Sequence, residues 1–391
     1  MWAGETSTQS SLSTYDEPMP YFDDAVYEAR RQTLAEAAAA AGIGGVVLGT
    51  GAEFEYLTGS AMHSHERLTA FVVGPGGFRV VAPMTDVATL QQEAALDGVE
   101  VVGWRDGEDP YALVRAWVGD GVVELGATLT ADHVFGLQAL VPTRALSAGV
   151  RSCFLVKDAG EIAELARAGK AIDAVHARVP ALLVPGATEA EVADQLRSLI
   201  EAEHVRADFV IVGSGPNGAN PHHDFSDRVL EAGDPVVVDI GGTLDSGYYS
   251  DCTRTYVVRG EDGADGADGA ADPEFLAAFD VLQRAQQAAV EAARPGMTAG
   301  ELDAVARDII TQKGYGEFFT HRLGHGIGLA VHEAPFIIDG SDVVLEEGMV
   351  FSIEPGIYVP GKWGMRIEDI VQLGPTVAVP LNHQPRGVAH A

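Results

Sequence analysis

VVVDIGGTLDSGYYSDCTRTYVV, residues 236–258, is the stretch on which the reading of this chain turns. Two β-branched runs flank an Asp-Ser-Gly turn signal, which predicts a β-hairpin with Asp239 on one arm and Asp251 on the other. Strand alternation places Asp251, Thr253 and Thr255 on one face. A carboxylate between VVV and IGG is costly to bury unless it is paired, protonated or bound to a cation. Taken alone, Asp239 reads equally well as an acid hydrogen-bonded to a turn. Two acids facing each other across a hairpin are different, because like charges at close range call for a cation between them.

Further along, MVFSIEPGIYVPGKWGMRIEDIVQL (349–373) repeats the theme. VFSIEP predicts a strand with Val350, Ser352 and Glu354 on one face. MRIEDIV predicts a second, with Arg366, Glu368 and Ile370 together and Asp369 pointing the other way; PGIYVPGKWG is the expected connection. Between the two pairs of acids lies HRLGHGIGLAVHEAP (321–335), where Gly324 and Gly326 flank His325 as if the backbone must approach a crowded site. Four carboxylates and one imidazole sum to −4. Two divalent cations would neutralise that charge, and oxygen ligands with one nitrogen suit manganese, with cobalt, iron or zinc as alternatives. Paired metals that share a water and polarise a carbonyl are hydrolytic machinery.

The surrounding chain supplies an architecture. Residues 24–150 alternate helix and strand: DAVYEARRQTLAEAAAAAG ends at Gly42 as a helix should, GVVLGT, TAFVVGP, RVVAPM and VEVVGW read as strands, and DVATLQQEAALDG and DPYALVRAWVGDG as helices. This predicts a small α/β domain over 21–152. Its His63 and His65 read first as surface or packing residues, and second as the border of a substrate pocket. A catalytic domain is expected over 153–391, opening on the helical stretch EIAELARAGKAIDAVHARVPALL. Within it PGATEAEVADQLRSLIEAEHV (185–205) is echoed by PGMTAGELDAVARDIITQKGY (295–315), each a helix capped by Thr188 or Thr298. The echo implies two α+β halves related by a pseudo-twofold, with a site at their junction. GEDGADGADGAADPE (260–274) separates the halves as a low-complexity, acidic loop; a calcium-binding repeat is its less economical reading.

Bulk properties exclude several classes. At 391 residues and 47% hydrophobic content the chain can build two cores. Its 25 basic and 57 acidic residues, net −32, would repel phosphate backbones, so nucleic acid is not an expected partner. Cys153 and Cys252 are the only cysteines, which argues for reduced thiols in a cytoplasm rather than a secreted disulfide scaffold. Residues 1–20 read as a polar, flexible leader without the features of a signal peptide, and no apolar run reaches the ~18–20 residues of a membrane span.

The motif order DIGG, SDCTRT, GHGIGL, IEPGIY and MRIED resembles the pita-bread metallopeptidases, the group of Xaa-Pro aminopeptidase, prolidase and methionine aminopeptidase. The likeness covers about 157–385, and 21–152 is similar to the creatinase/prolidase-type companion domain. The wording IEPGIYVPG…GMRIED is closer to the proline-directed members. The resemblance implies that Asp239 chelates one metal, His325 and Glu354 the other, and that Asp251 and Glu368 bridge them. It implies Glu354 as proton shuttle, His332 as stabiliser of the tetrahedral intermediate, and His222, in NPHHDFSD, as a lining of the substrate site that adjacent His223 fits less well. His321 and Arg366 match positions touching the proline residue or its carboxylate, and Tyr358 is expected at the border. Arg366 reads equally as a counter-charge to the acids. A homodimer acting on a small peptide is the implied form, with Xaa-Pro hydrolysis the expected activity. The alternatives are a non-peptide small molecule on the same metal site, as in ectoine hydrolases or lyases, or a binding module without catalysis. Two departures stand out: the Asp239–Asp251 spacing of 12 is one residue longer than in many members, and Cys252 sits beside a bridging ligand, where alternation turns it away as a small buried hydrophobe.

Overall fold

A computed structural model describes residues 21–64, 66–260 and 271–390. The leader expected over 1–20, His65 and residues 261–270 of the acidic stretch lie outside the described residues. The chain divides into two compact units, the first ending at Val150 and the second starting at Arg151. Among the described residues no helix is long and apolar enough to cross a membrane.

The first unit carries helices Asp24–Ala40 (α1), Ala52–Thr58 (α2), Val87–Glu93 (α3), Pro110–Arg115 (α4) and Ala131–Gln138 (α5), with Ala148–Leu155 (α6) spanning the division. Strands Gly45–Gly49 (β1), Ala70–Gly74 (β2), Gly77–Pro83 (β3), Val99–Trp104 (β4), Val123–Leu125 (β5) and Thr143–Ala145 (β6) form one mixed sheet in the order β4-β3-β2-β1-β5-β6. GVVLG and AFVVG become the buried central strands β1 and β2, while VEVVGW is the partly exposed edge strand β4. Helices α3 and α4 stop earlier than the apolar pattern suggested. His63 is exposed.

The second unit is built twice. Its first half holds Ala159–His176 (α7), Glu189–Glu203 (α8) and the strands Arg206–Ser214 (β7), Pro235–Thr243 (β8) and Cys252–Val257 (β9). Its second half holds Pro273–Ala292 (α9), Ala299–Gln312 (α10), Gly324–Gly326 (β10), Glu333–Ile337 (β11), Val350–Ile353 (β12), Gly356–Val359 (β13), Trp363–Arg366 (β14), Asp369–Leu373 (β15) and Ala378–Pro380 (β16). The final strand, Ala389–His390 (β17), returns to lie parallel to β9. Sheet orders are β17-β9-β8-β7 and β11-β10-β12-β15-β16, with β13 and β14 as a separate hairpin.

The echo is present bond for bond. Thr188 and Thr298 each close a capping box with the glutamate three residues on, Glu191 and Glu301. Gly186 donates to the Leu230 carbonyl and Gly296 to that of Leu345, while the amides of Leu230 and Leu345 return to Ala187 and Met297. Each half has its own core. Val192, Leu196 and Ile200 of α8 pack on Val236, Val238, Ile240, Cys252 and Tyr256. Phe275, Leu282 and Leu302 of the second half pack with Phe351, Ile353, Val371 and Leu373. Period-two alternation therefore commits the remaining face of each sheet: Asp239, Thr253, Thr255 and Ser352 point away from the helices.

Two expectations need correction. MRIEDIV is not one strand. Arg366 ends β14, Asp369 begins β15 in another sheet, and Ile367–Glu368 cross between them. The cause is that GIYV, read from sequence as connection, is itself strand β13 and pairs with β14 from Gly356↔Arg366 to Val359↔Trp363. In addition, the helix beginning at α7 ends at His176, with only a 3-10 turn at Val179–Ala181, where Pro180 interrupts the pattern.

Candidate metal centre

The hairpin β8–β9 is regular from Pro235↔Val257 to Ile240↔Cys252, and Thr243 bridges Tyr249 in the same register. The long spacing is thus taken up in the turn, where Gly247 adopts φ 83° and Leu244 receives the return hydrogen bond. Asp239 stands opposite Thr253, so Asp251, two residues earlier on the return arm, is its diagonal neighbour on the same face.

Glu368 arrives from the second half. Its amide donates to the Thr253 carbonyl at 3.1 Å, and its Oε2 accepts from Thr253 Oγ1 at 2.8 Å. Asp369 turns toward the helices, where Arg254, Gln286 and Arg386 donate to it, as alternation requires. Cys252 is fully buried on that side. Glu354 follows β12, with Oε1 held 3.1 Å from Ser352 Oγ and 3.2 Å from His325 Nε2; the same imidazole nitrogen lies 3.6 Å from Asp251. His325 Nδ1 faces the Gly326 carbonyl at 3.1 Å, which leaves Nε2 to face the acids. The glycines beside His325 have a reason different from the expected one. A Cβ on Gly324 would overlap the Ser352 carbonyl, and one on Gly326 the Ala334 carbonyl, so it is the neighbouring strands that exclude side chains.

Donor atoms of Asp239, Asp251 and Glu368 lie within 4.8 Å of one another, as do those of His325, Glu354 and Glu368, and those of Asp251, His325 and His332. Asp239, Asp251, His325 and Glu368 are 8, 4, 2 and 1% exposed. Burial, and then the neighbouring Asp239 charge, hold Asp251 well above the usual carboxylate range. Burial followed by Asp251, Glu354 and Asp239 does the same to Glu368. Burial would raise Glu354 as well, but the hydrogen bond and charge of His325 outweigh it and bring Glu354 down to about 2. Burial opposes a charge on His325, yet the bond to Glu354 leaves its pKa raised. Among the described residues, Asp239 Oδ1 and Glu368 Oε1 are buried without a hydrogen-bond partner. Buried acids that repel one another, with two orphaned oxygens in their midst, fit a divalent cation pair.

The remaining expected residues fall in two groups. Arg366, buried, donates from Nη2 to Asp239, from Nε to Thr253 Oγ1, and from Nη1 to Tyr358 Oη and the Pro221 carbonyl. One of its five N–H groups is left, which is the arrangement of a counter-charge. Tyr358 Oη also lies 3.0 Å from His321 Nε2, so His321, Tyr358 and Arg366 form one chain behind the acids. His332 and His222 are exposed. The His332 ring meets His325 edge-on, 4.2 Å between centres, and loss of solvent there, with the His325 charge, lowers it to about 4. Sequence reading missed Ser352 and Thr253 as carboxylate holders, although each shares its strand face with a ligand. It also missed Glu189, which nothing in the pattern distinguishes from a first-turn helix acid.

Four carboxylates and an imidazole, brought together by strands and strand ends of both halves, make up a donor set that suits a metal-dependent hydrolase. The chain belongs to metallopeptidase family M24, whose model matches residues 163–375, and residues 30–151 match the creatinase/prolidase N-terminal domain. It is 50% identical to the probable dipeptidase PepE of Mycobacterium tuberculosis over 93% of this chain and 96% of that one. It is 39% identical to an Xaa-Pro dipeptidase of Lactobacillus delbrueckii subsp. lactis over 80% and 86%. Among solved structures, dipeptidase PepE from Mycobacterium ulcerans superposes with a TM-score of 0.89 at 47% identity, covering 94% and 98%, and prolidase from Thermococcus sibiricus with 0.81 at 32%, covering 93% and 99%. The expected pita-bread catalytic domain and creatinase-type companion are both found.

Proposed function

We propose that this chain hydrolyses the bond between an N-terminal residue and proline, as an Xaa-Pro dipeptidase or aminopeptidase, using two divalent cations held by Asp239, Asp251, His325, Glu354 and Glu368. The observation that carries the reading is the convergence of these donors around the orphaned oxygens of Asp239 and Glu368. Names of relatives add the proline preference. Manganese is the expected ion from the oxygen-rich donor set. Arg366 reduces the net charge of the site from −4 to −3, so two divalent ions would leave one positive charge to attract an anion. When bound, such a pair supplies a water of lowered pKa and a polarised carbonyl.

The protein's own groups do the rest. Glu354, at the mouth of the acid cluster, takes a proton from the attacking water and passes it to the proline nitrogen as the peptide bond breaks. His332, neutral at pH 7, donates an N–H to the oxygen on which charge develops. His222 borders the substrate from the opposite loop. Arg366 holds Asp239, and Tyr358, itself bonded to His321, braces Arg366. The enzyme works in the cytoplasm as a homodimer on small peptides, an expectation drawn from family likeness.

The test is turnover of an Xaa-Pro dipeptide and of the first bond of an Xaa-Pro-Yaa peptide by manganese-loaded protein. Cleavage of either supports the reading, and the ratio separates dipeptidase from aminopeptidase. Metal-loaded protein inert toward both would sink it.

A further inference from the structure

The loop that carries His222 runs from the end of β7 to Ser226, and its central residues are not part of any sheet. One carboxylate gathers it. Glu189, the first residue of α8 and 0% exposed, accepts at Oε1 from the Ser214 amide (2.7 Å), Ser214 Oγ (2.6 Å) and Asn217 Nδ2 (3.1 Å). At Oε2 it meets Asn217 Nδ2 (3.1 Å), His223 Nε2 (2.8 Å), the Ser226 amide (2.9 Å) and Ser226 Oγ (2.7 Å). Both feet of the loop and the residue next to His222 are thereby tied to one buried point. Near the apex the Pro221 carbonyl accepts from Arg366 and the Asp224 carbonyl from the Val212 amide.

The chain contains its own control. In the second half the residue equivalent to Glu189 is Ala299, after the same Thr cap and before the same capping-box glutamate. The helix start therefore needs no carboxylate at this place, and the acid exists for the loop. Its hydrogen bonds with Ser214, His223 and Ser226 outweigh burial and keep it ionised, its pKa lowered.

We infer that Glu189 is a positioning residue: through Ser214, Asn217, His223 and Ser226 it fixes the loop on which His222 meets the substrate. The inference rests on the substrate role given to His222 above. His223 then belongs to the support of its neighbour, which accounts for its poorer fit as a substrate contact. Glu189 touches no reacting atom.

The experiment is a double-mutant cycle in full-length, manganese-loaded protein with an Xaa-Pro dipeptide. Glu189→Gln turns one acceptor into a donor against a ring of donors. It should raise KM about tenfold while kcat and metal content stay near wild type, as loss of a supporting contact does. His222→Ala should raise KM similarly, and adding Glu189→Gln to it should change KM by less than about threefold, because both act through one side chain. Multiplying effects would overturn the inference and leave the role of His222 standing. A silent His222→Ala removes that role, and the inference with it. Should Glu189→Gln fail to fold, His223→Phe removes a single half-buried donor and must show the same KM increase, absent in the His222→Ala background; an additive result there refutes the inference equally.

Discussion

Thr253→Val is the substitution that probes the site most cleanly, because it changes no charge and almost no volume. Thr253 Oγ1 donates to Glu368 Oε2 at 2.8 Å and accepts from Arg366 Nε at 3.0 Å, at a fully buried position. Valine leaves a carboxylate oxygen and a guanidinium N–H facing a methyl group. The bond from the Arg366 guanidinium contributes about 1.5–3 kcal/mol, and the bond to Glu368, whose carboxyl is held above the usual carboxylate range without metal, about 0.5–1.5 kcal/mol, so the loss for the metal-free protein is about 3 kcal/mol. Glu368 also loses the contact that orients it, and outer contacts of this kind are worth about 10–100-fold in metal affinity. The assays are urea unfolding of metal-free protein at pH 7 and a manganese titration against a chromophoric chelator. Metal-loaded protein should lose more stability than metal-free protein, because the binding contribution falls as well. Thr253→Ser should restore both quantities. Valine at this position with wild-type metal affinity would refute the claim that Thr253 orients Glu368.

Other expectations follow from the same geometry. Glu354→Gln should lower kcat by about 10²–10⁴-fold; survival of activity would show that Glu354 carries no proton. Asp251 and Glu368 lie above the usual carboxylate range in the metal-free protein, so ions must displace their protons. Manganese affinity should therefore rise with pH above the usual carboxylate range, with proton release visible by calorimetry in buffers of different ionisation heat; binding without proton release contradicts this. His176 is buried between Tyr256 Oη and the Cys252 carbonyl, each 2.9 Å away, and burial lowers it to about 3. Its neutral form stabilises the fold above its unfolded pKa of about 6.5, and that contribution is lost as pH falls through the window toward 3, at about 1.4 kcal/mol per pH unit. His176→Gln should flatten urea-measured stability against pH by one proton across that window.

The ligand strands were legible because each side chain's surroundings are encoded within two residues of it. Val236, Val238 and Ile240 face the helices, so Asp239 cannot, and the same parity separates Glu368 from Asp369. The Thr-capped echo was legible because caps are local. What escaped reading was long-range. GIYV looks like connection until Trp363–Arg366 pairs with it. The glycines beside His325 announce crowding without saying that the Ser352 and Ala334 backbones cause it. Arg366 shows a charge near acids, but only the fold reveals that Thr253, Tyr358, Pro221 and Asp239 together take four of its hydrogens. Glu189 is the extreme case: its partners at 214–226 are 25 to 37 residues away, in a segment with no periodicity.

Asp251 stands one residue before β9 and Glu368 one residue before β15, so the two halves contribute the same kind of acid from the same place. Neither half alone owns the acid cluster. An ion bound there would act as a rivet through the seam between the halves, and its affinity would measure how well the halves fit. Any substitution that loosens the seam, however far from the acids, would then register first as a weaker grip on metal. Saturating metal would in turn hide mild defects in folding, so variants of this chain are best compared stripped of ions.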